Sequence, residues 1–441
     1  MRIVYTVILG LILAAIFFIN YRKEKDLFCP MCFVSLMMFI RYIPNMIDKD
    51  VEHFSHLTES NISKLFWAEL VSIIAIQIGN FIGNRVVFRV KRESSENSVY
   101  SKEYNSDSNI KSWVIFLLFS IGMIARLRVI LMSGGIKYIT SNAGLAYISL
   151  SNGTGFLSMF SNFAIVAVMM ELSAALQDYH NGNSKQFKHK RLMLIIMIGL
   201  YSFTFMIFTS RSPIFELLLF VIFGINYLWR KLRIRDFLGP RIILVIVISL
   251  ALIVILPLLR QGQTITSSRD TNIISSIFDE FSYVGRDTYV YDHFDKSNYW
   301  HGGNYKGFLT AFIPYSLYPQ KPPIDDGIYL SNIMYGYWVN PPVPRDNLTI
   351  TYSIPFSTPG ILYADFGMIG IIIGQLLMGI IYSKVYKKLK MKQNVLWIII
   401  FQLVVYQLEL STLSIMQTII PLAITYLAYK PTTSVNVKLG N

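Results

Sequence analysis

Three arginines in this chain stand where a guanidinium invites chemistry. Arg211 lies in the turn Thr209-Ser210-Arg211-Ser212-Pro213 between two apolar runs, and Arg260 directly follows the run ending at Leu259. Arg286 falls on the polar side of a segment whose apolar residues Ile273, Ile274, Ile277, Phe278, Phe281 and Val284 recur at helical spacing. Cations at a membrane edge are costly and functional by default. Guanidinium groups grip phosphate oxygens in pairs, and Pro213 is suited to open a helix whose free N–H groups favour an anion. The three together point to a pyrophosphate pocket. The alternative for Arg211 is an interfacial arginine reaching lipid headgroups. Arg126 and Arg128 either face the same cavity or pair with Glu171 or Glu216.

Acid or base candidates crowd the region after Arg260. His301, in Tyr299-Trp300-His301-Gly302-Gly303, carries an imidazole, a side-chain type suited to proton transfer, and has glycines that admit a substrate closely. A surface histidine without chemical duty is the other reading. Glu280 is the second candidate base. Tyr299, Trp300 and Tyr315 offer aromatic faces, and Lys321 and Asp365 polar contacts, to a substrate. There is no H-E-x-x-H, G-x-S-x-G or P-loop, which leaves metalloprotease, serine hydrolase and nucleotide hydrolysis without support. Cys29 and Cys32 form a C-x-x-C with no second Cys or His pair to complete a zinc site, and read as buried packing.

The elements that must position these residues are membrane helices. Charged residues make up 15% of the chain and hydrophobic ones 53%, with a mean hydropathy of +0.47, whereas a soluble domain carries about a quarter charged residues. The expected fold is an all-α polytopic membrane protein of about 11 transmembrane helices. The spans fall near 3–20, 27–45, 65–83, 113–133, 156–177, 192–210, 213–229, 242–259, 361–383, 395–410 and 414–429. The first run is longer than a signal-peptide core and has no small-residue cleavage site before Arg22, so it reads as a retained helix.

The net charge of +14 is a topology signal. Alternate loops hold 25 of the 40 Lys and Arg, and the opposite loops 11 over many more residues. The positive-inside rule then puts the N-terminus outside and the C-terminus in the cytoplasm, and nucleic-acid binding falls away. One long extracytoplasmic loop, 260–356, contains the amphipathic helix and is rich in Tyr and Trp. Its prolines, from Pro314 to Pro355, exclude long helices after it.

Three stretches carry a resemblance: Gly303-x-x-x-Gly307, then Ile313-Pro314-x-x-Leu317-Tyr318-Pro319-x-Lys321-Pro322, then Pro359-Gly360-x-Leu362-Tyr363-Ala364-Asp365-Phe366-Gly367-x-x-Gly370. With Ser210-Arg211-Ser212 and the late outer loop, they resemble the bacterial oligosaccharide repeat-unit polymerases, the O-antigen polymerase (Wzy) family. Members often have an arginine after the Ile-Pro, where this chain has Tyr315. The resemblance implies a GT-C-like glycosyltransferase of the bacterial inner membrane, with its active site on the periplasmic side. It would move a growing O-antigen or capsule glycan from undecaprenyl pyrophosphate to the non-reducing end of a new lipid-linked repeat unit. It implies no cofactor and no metal. Its partners would be lipid-linked oligosaccharides, the bilayer, a chain-length regulator and a flippase, and no nucleic acid. Arg211, Arg260 and Arg286 would then stabilise the departing pyrophosphate, with His301 or Glu280 as base. A flippase for the same lipid-linked oligosaccharide, or an O-antigen ligase, shares many of these features.

Overall fold

A chain in hydrocarbon must satisfy its own backbone N–H and C=O groups, and a helix does so within one segment. The computed structural model describes residues 1–47, 58–85, 112–141, 155–180, 182–206, 212–229, 231–233, 235, 236, 239, 281–311, 313, 317–392 and 395–429. The chain is all-helical there, without strands. Its helices are α1 (Arg2–Glu24), α2 (Pro30–Ile47), α3 (Glu59–Arg85), α4 (Ser112–Met132), α5 (Gly135–Ser141), α6 (Gly155–His180), α7 (Ser184–Met206) and α8 (Ser212–Gly224). Further along the chain come α9 (Val284–His293), α10 (Lys306–Thr310), α11 (Gly327–Met334), α12 (Thr358–Lys392), α13 (Val395–Gln402) and α14 (Thr412–Tyr429). Wider π-type turns extend α8 over Ile225–Trp229 and α13 over Leu403–Gln407.

Among the described residues, five helices, α1 to α4 and α12, are long and apolar enough to cross a membrane. Shorter apolar stretches fill Phe160–Leu176, Leu217–Tyr227, Leu396–Tyr406 and Thr412–Ala428. The expected span 242–259 lies outside the described residues. So does most of the expected amphipathic helix, and the non-helical pair Ser282 and Tyr283 separates it from α9.

Helix pairs in a membrane gain from close backbone approach, which small residues allow. The tightest seam joins α3 to α12 through Gly79-x-x-x-Gly83 on one side and Gly379 on the other. A methyl group added at Gly79 would run into the carbonyl of Leu376, and one at Gly379 into that of Ile76. Gly122 of α4 rests on Ala164 of α6 in the same manner.

The expected ninth span, 361–383, is not continuous. Gly367 breaks α12 with φ 63° and ψ −152°, a conformation that penalises any Cβ. A Cβ at Gly370 would meet the carbonyl of Leu362, and one at Gly374 its side chain. In a straight helix those residues would be about 12 and 18 Å apart. The arm 358–366 therefore folds back along the arm that follows. The glycine spacing of the third motif stretch thus builds a helical hairpin.

Both ends of the bundle are tied by buried polar groups. Arg2 of α1 reaches the last carbonyls of α2, donating to Asn45 at 3.1 Å and to Met46, a favourable place for a cation. At the other end Asp26 accepts from Phe28 N, Asn226 Nδ2, Tyr227 OH and Tyr386 OH. Lys390 pairs with Glu24 at 2.6 Å nearby. Cys29 and Cys32 are buried there, 3.0 Å apart at sulfur. The basic stretches Arg22–Lys25 and 384–392 hence share one end, and residue 1 shares the other with the segment 281–357.

Candidate functional site

The segment 281–357 is a folded cap. Trp300 packs edge-on against Phe294, Tyr329 and Phe356 at 5.3, 5.9 and 5.4 Å. Asn332 ties the chain after the prolines by donating to Ile350 O and accepting from the Thr349 and Ile350 amides. As the prolines require, its helices are short: α10 and α11 have five and eight residues.

α9 lays this cap on α2, α3 and α12. Lys64 of α3 pairs with Asp292 at 2.7 Å, and Tyr283 N donates to Arg41 O at 3.4 Å. At this junction lies a cavity of ≈ 100 Å³, room for several waters or a phosphate-sized group. Its polar wall holds Arg41, Glu69, Ser357, Gln375 and Glu409, and its apolar wall Phe33, Met37, Met38, Ile76 and Met378.

Arg41, 33% exposed, pairs with Glu409 at 3.3 Å. Its guanidinium sits 4.8 Å from the centre of the Tyr283 ring, and Arg286 lies 4.1 Å from the same ring. One phenol thus holds two cations near each other, an arrangement that cation–π attraction favours. Arg286 also donates to Ser282 O and, at 3.5 Å, to Pro355 O.

Two buried carboxylates stand beside these cations. Asp287 accepts from Tyr42 OH at 2.6 Å and Ser357 Oγ at 2.8 Å. Burial pushes its pKa up to about 6, while those hydrogen bonds, Arg286 and Arg41 pull it down. Glu69 is 0% exposed, and its Oε1 accepts from Tyr291 OH at 2.8 Å. Burial foremost, with Glu69 and Asp287 adding, holds the Tyr291 phenol well above its ordinary range, so it stays a donor. Glu69 lines the cavity, and its buried Oε2 makes no close hydrogen bond, with the Tyr42 hydroxyl near the same carboxylate. A carboxylate on the cavity wall beside the Arg41 guanidinium can take a proton from a bound hydroxyl while the cation receives an anion.

Of the residues expected from sequence, Arg286 stands beside this site, against the Tyr283 ring. Arg211, Arg260, Glu280 and Tyr315 lie outside the described residues. His301 is exposed on a left-handed turn, φ 51°, with its backbone N–H on Asp365 O, and does not line the cavity. Trp300 is 4% exposed and forms the core of the cap, so it has no face to offer a sugar. Tyr299 lies over Gly367, its hydroxyl where a Cβ would be. Lys321 is occupied in the proline-rich turn by Ile313 O at 2.6 Å, and Asp365 is buried against Gly302 N at 3.2 Å. Arg126 is buried on α4 and Arg128 exposed; neither lines the cavity. Tyr318, Tyr335, Tyr337 and Trp338 are exposed rings of the cap, Trp338 at 64%.

Arg41, Glu69 and Glu409 were missed. Each is a charge set in an apolar helix or at its end, and an ionisable residue inside a membrane span is a site hypothesis in itself. Compared with family models, curated proteins and solved structures, the chain matches none. Fold and site together define a helical protein with several long apolar helices, suited to a membrane, and an amphiphilic cleft under a capped end.

Proposed function

We propose that this chain is a polymerase of undecaprenyl-pyrophosphate-linked oligosaccharide repeat units, acting at the outer face of a bacterial inner membrane. The observation that carries the reading is the cleft itself: Arg41 and the Glu69 carboxylate on a wall of methionine, phenylalanine and isoleucine, with Arg286 against the same Tyr283 ring as Arg41. A lipid-linked pyrophosphate has the same two-part chemistry, a dianionic head and an apolar tail. The sequence motifs of the cap and of the hairpin at Gly367 support the reading independently.

In this mechanism the acceptor hydroxyl of the new repeat unit attacks the anomeric carbon of the growing glycan. The bond from that carbon to the pyrophosphate oxygen breaks, and its electron pair leaves with the lipid pyrophosphate. Glu69 Oε2 takes the hydroxyl proton, and Arg41 and Arg286 balance the charge left on the pyrophosphate. Tyr291 and Tyr42 hold the two carboxylates in place. Trp338, Tyr337 and Tyr335 supply outward faces on which sugar rings stack.

Deleting the gene and analysing the surface glycan tests the reading. Single repeat units on an otherwise intact carrier are expected. Full-length chains, or repeat units retained on the cytoplasmic face, would contradict it, the latter in favour of a flippase.

A further inference from the structure

The stretch 296–324 of the cap holds no Asp or Glu, while Lys296, Lys306 and Lys321 are basic. Its later part is a closed loop. Gly307, at one foot, lies against the carbonyl of Pro323 at the other, with no room between them for a Cβ. Lys321 Nζ donates to Ile313 O at 2.6 Å and draws the two strands of the loop together. α10 forms the first of these strands.

One side of the loop is packed. Phe308, Ala311 and Ile324 gather with Met416 and Ile420 of α14 in a small apolar core of their own. Met416 and Ile420 follow Thr412, the first residue of α14, by four and eight positions. The loop therefore reaches about 6–12 Å down that helix from its cap end, at a rise of about 1.5 Å per residue. Interfacial segments bury their apolar side to a similar depth. α14 is itself apolar, and it leaves Ile419, Tyr426 and Leu427 exposed, as a helix facing lipid does.

The other side of the loop is apolar and turned outward. Leu309 and Leu317 are each 77% exposed, and Ile313 and Tyr318 are exposed as well. Large apolar side chains gathered on one loop mark an interaction surface. Three of the four are aliphatic, which gives a sugar no ring to stack on. The missing acids and the exposed Lys306 suit a surface that is itself anionic. Depth, continuity with α14 and charge all fit a phospholipid headgroup layer.

We propose that this loop anchors the cap in the bilayer beside α14, with Leu309, Ile313 and Leu317 entering the interface and Tyr318 at headgroup level. The anchor is a second hold on the cap, separate from its seating on α2, α3 and α12 through α9. It rests on the helices lying in a membrane and not on glycosyl transfer.

The test uses the full chain in vesicles of phosphatidylethanolamine and phosphatidylglycerol, with an environment-sensitive fluorophore on Leu309→Cys or on Leu317→Cys. Both side chains are exposed, so two independent labels are carried without disturbing the core; the unsubstituted chain, treated alike, gives the background from the buried Cys29 and Cys32. Both labels should shift their emission to the blue, be quenched by a nitroxide carried high on the lipid acyl chains, and escape quenching by iodide in the water. Quenching by iodide without quenching by the lipid nitroxide would overturn the proposal by placing the loop in water. Shielding from both quenchers would overturn it in favour of a second copy of the chain on the same face.

Discussion

The two ends of α2 each carry a buried carboxylate cluster, and they are finished differently. Asp26 at one end accepts four hydrogen bonds that use both of its oxygens. Glu69 and Asp287 at the other end also hold tyrosine hydroxyls, but Glu69 lines a cavity beside the Arg41 guanidinium and its Oε2 makes no close hydrogen bond. A satisfied buried network specifies structure. An unsatisfied one is retained where a ligand completes it. The comparison assigns Asp26 to holding the helices, and the proposed function gives Glu69 the chemistry.

The largest effect expected from this contrast is at Arg41. Arg41→Ala should lower polymer formation by about 10²–10³-fold, the scale of losing one charge-stabilising donor at a transition state. Arg41→Lys should restore only part of it, because an ammonium lacks the paired geometry. Chain-length profiles of the surface glycan, at matched protein levels, measure both. Asp26→Asn should do the opposite: a loss of roughly 1–3 kcal/mol in stability, from an amide placed against two phenol donors, with unchanged turnover per folded molecule. Thermal unfolding together with activity separates these outcomes.

The pH dependence sharpens the same comparison. Folding raises the Asp287 pKa from 3.8 to about 6. Its contribution to stability is therefore full below pH 3.8 and is lost as pH rises through about 6. Activity runs the other way, since the ionised carboxylate accepts from Tyr42 and Ser357. An activity limb that rises as the coupled Glu69 and Asp287 carboxyls ionise is expected in wild type and should move in Asp287→Asn. The smallest effect concerns the cap. Trp338→Ala should raise the acceptor KM about 3–10-fold without changing stability, the equivalent of roughly 0.5–1.5 kcal/mol of ring contact. Trp300→Ala should cost about 3–5 kcal/mol of stability, because that ring is core.

Much of this architecture is legible in sequence. Uncharged runs announce the helices, and the position of Arg22–Lys25 and 384–392 announces which ends lie together. The glycines at 360, 367 and 370 stand out by spacing, but their meaning needs three dimensions: only the contact of Gly370 with Leu362 reveals the fold-back. The site was half visible. Arg286 and Asp287 stand out in a polar stretch, whereas Arg41 and Glu69 are single charges in apolar helices that sequence reading passes through as spans. They become a pair because α9 lies across α2 and α3, a long-range packing that no local pattern encodes. Trp300 misled for a related reason. A tryptophan beside His301 reads the same whether its ring faces outward or inward, and here the burial of Phe294, Tyr329 and Phe356 around it decides.

The most direct measurement of the central claim is transfer by the purified chain, given an undecaprenyl-pyrophosphate-linked repeat unit and no other protein. Wild type should yield a ladder of products of two or more repeats, and Glu69→Gln, which keeps the shape but not the base, should lose it by about 10²–10⁴-fold while unfolding at the wild-type temperature. A full ladder from folded Glu69→Gln, or none from the wild type, would contradict the account.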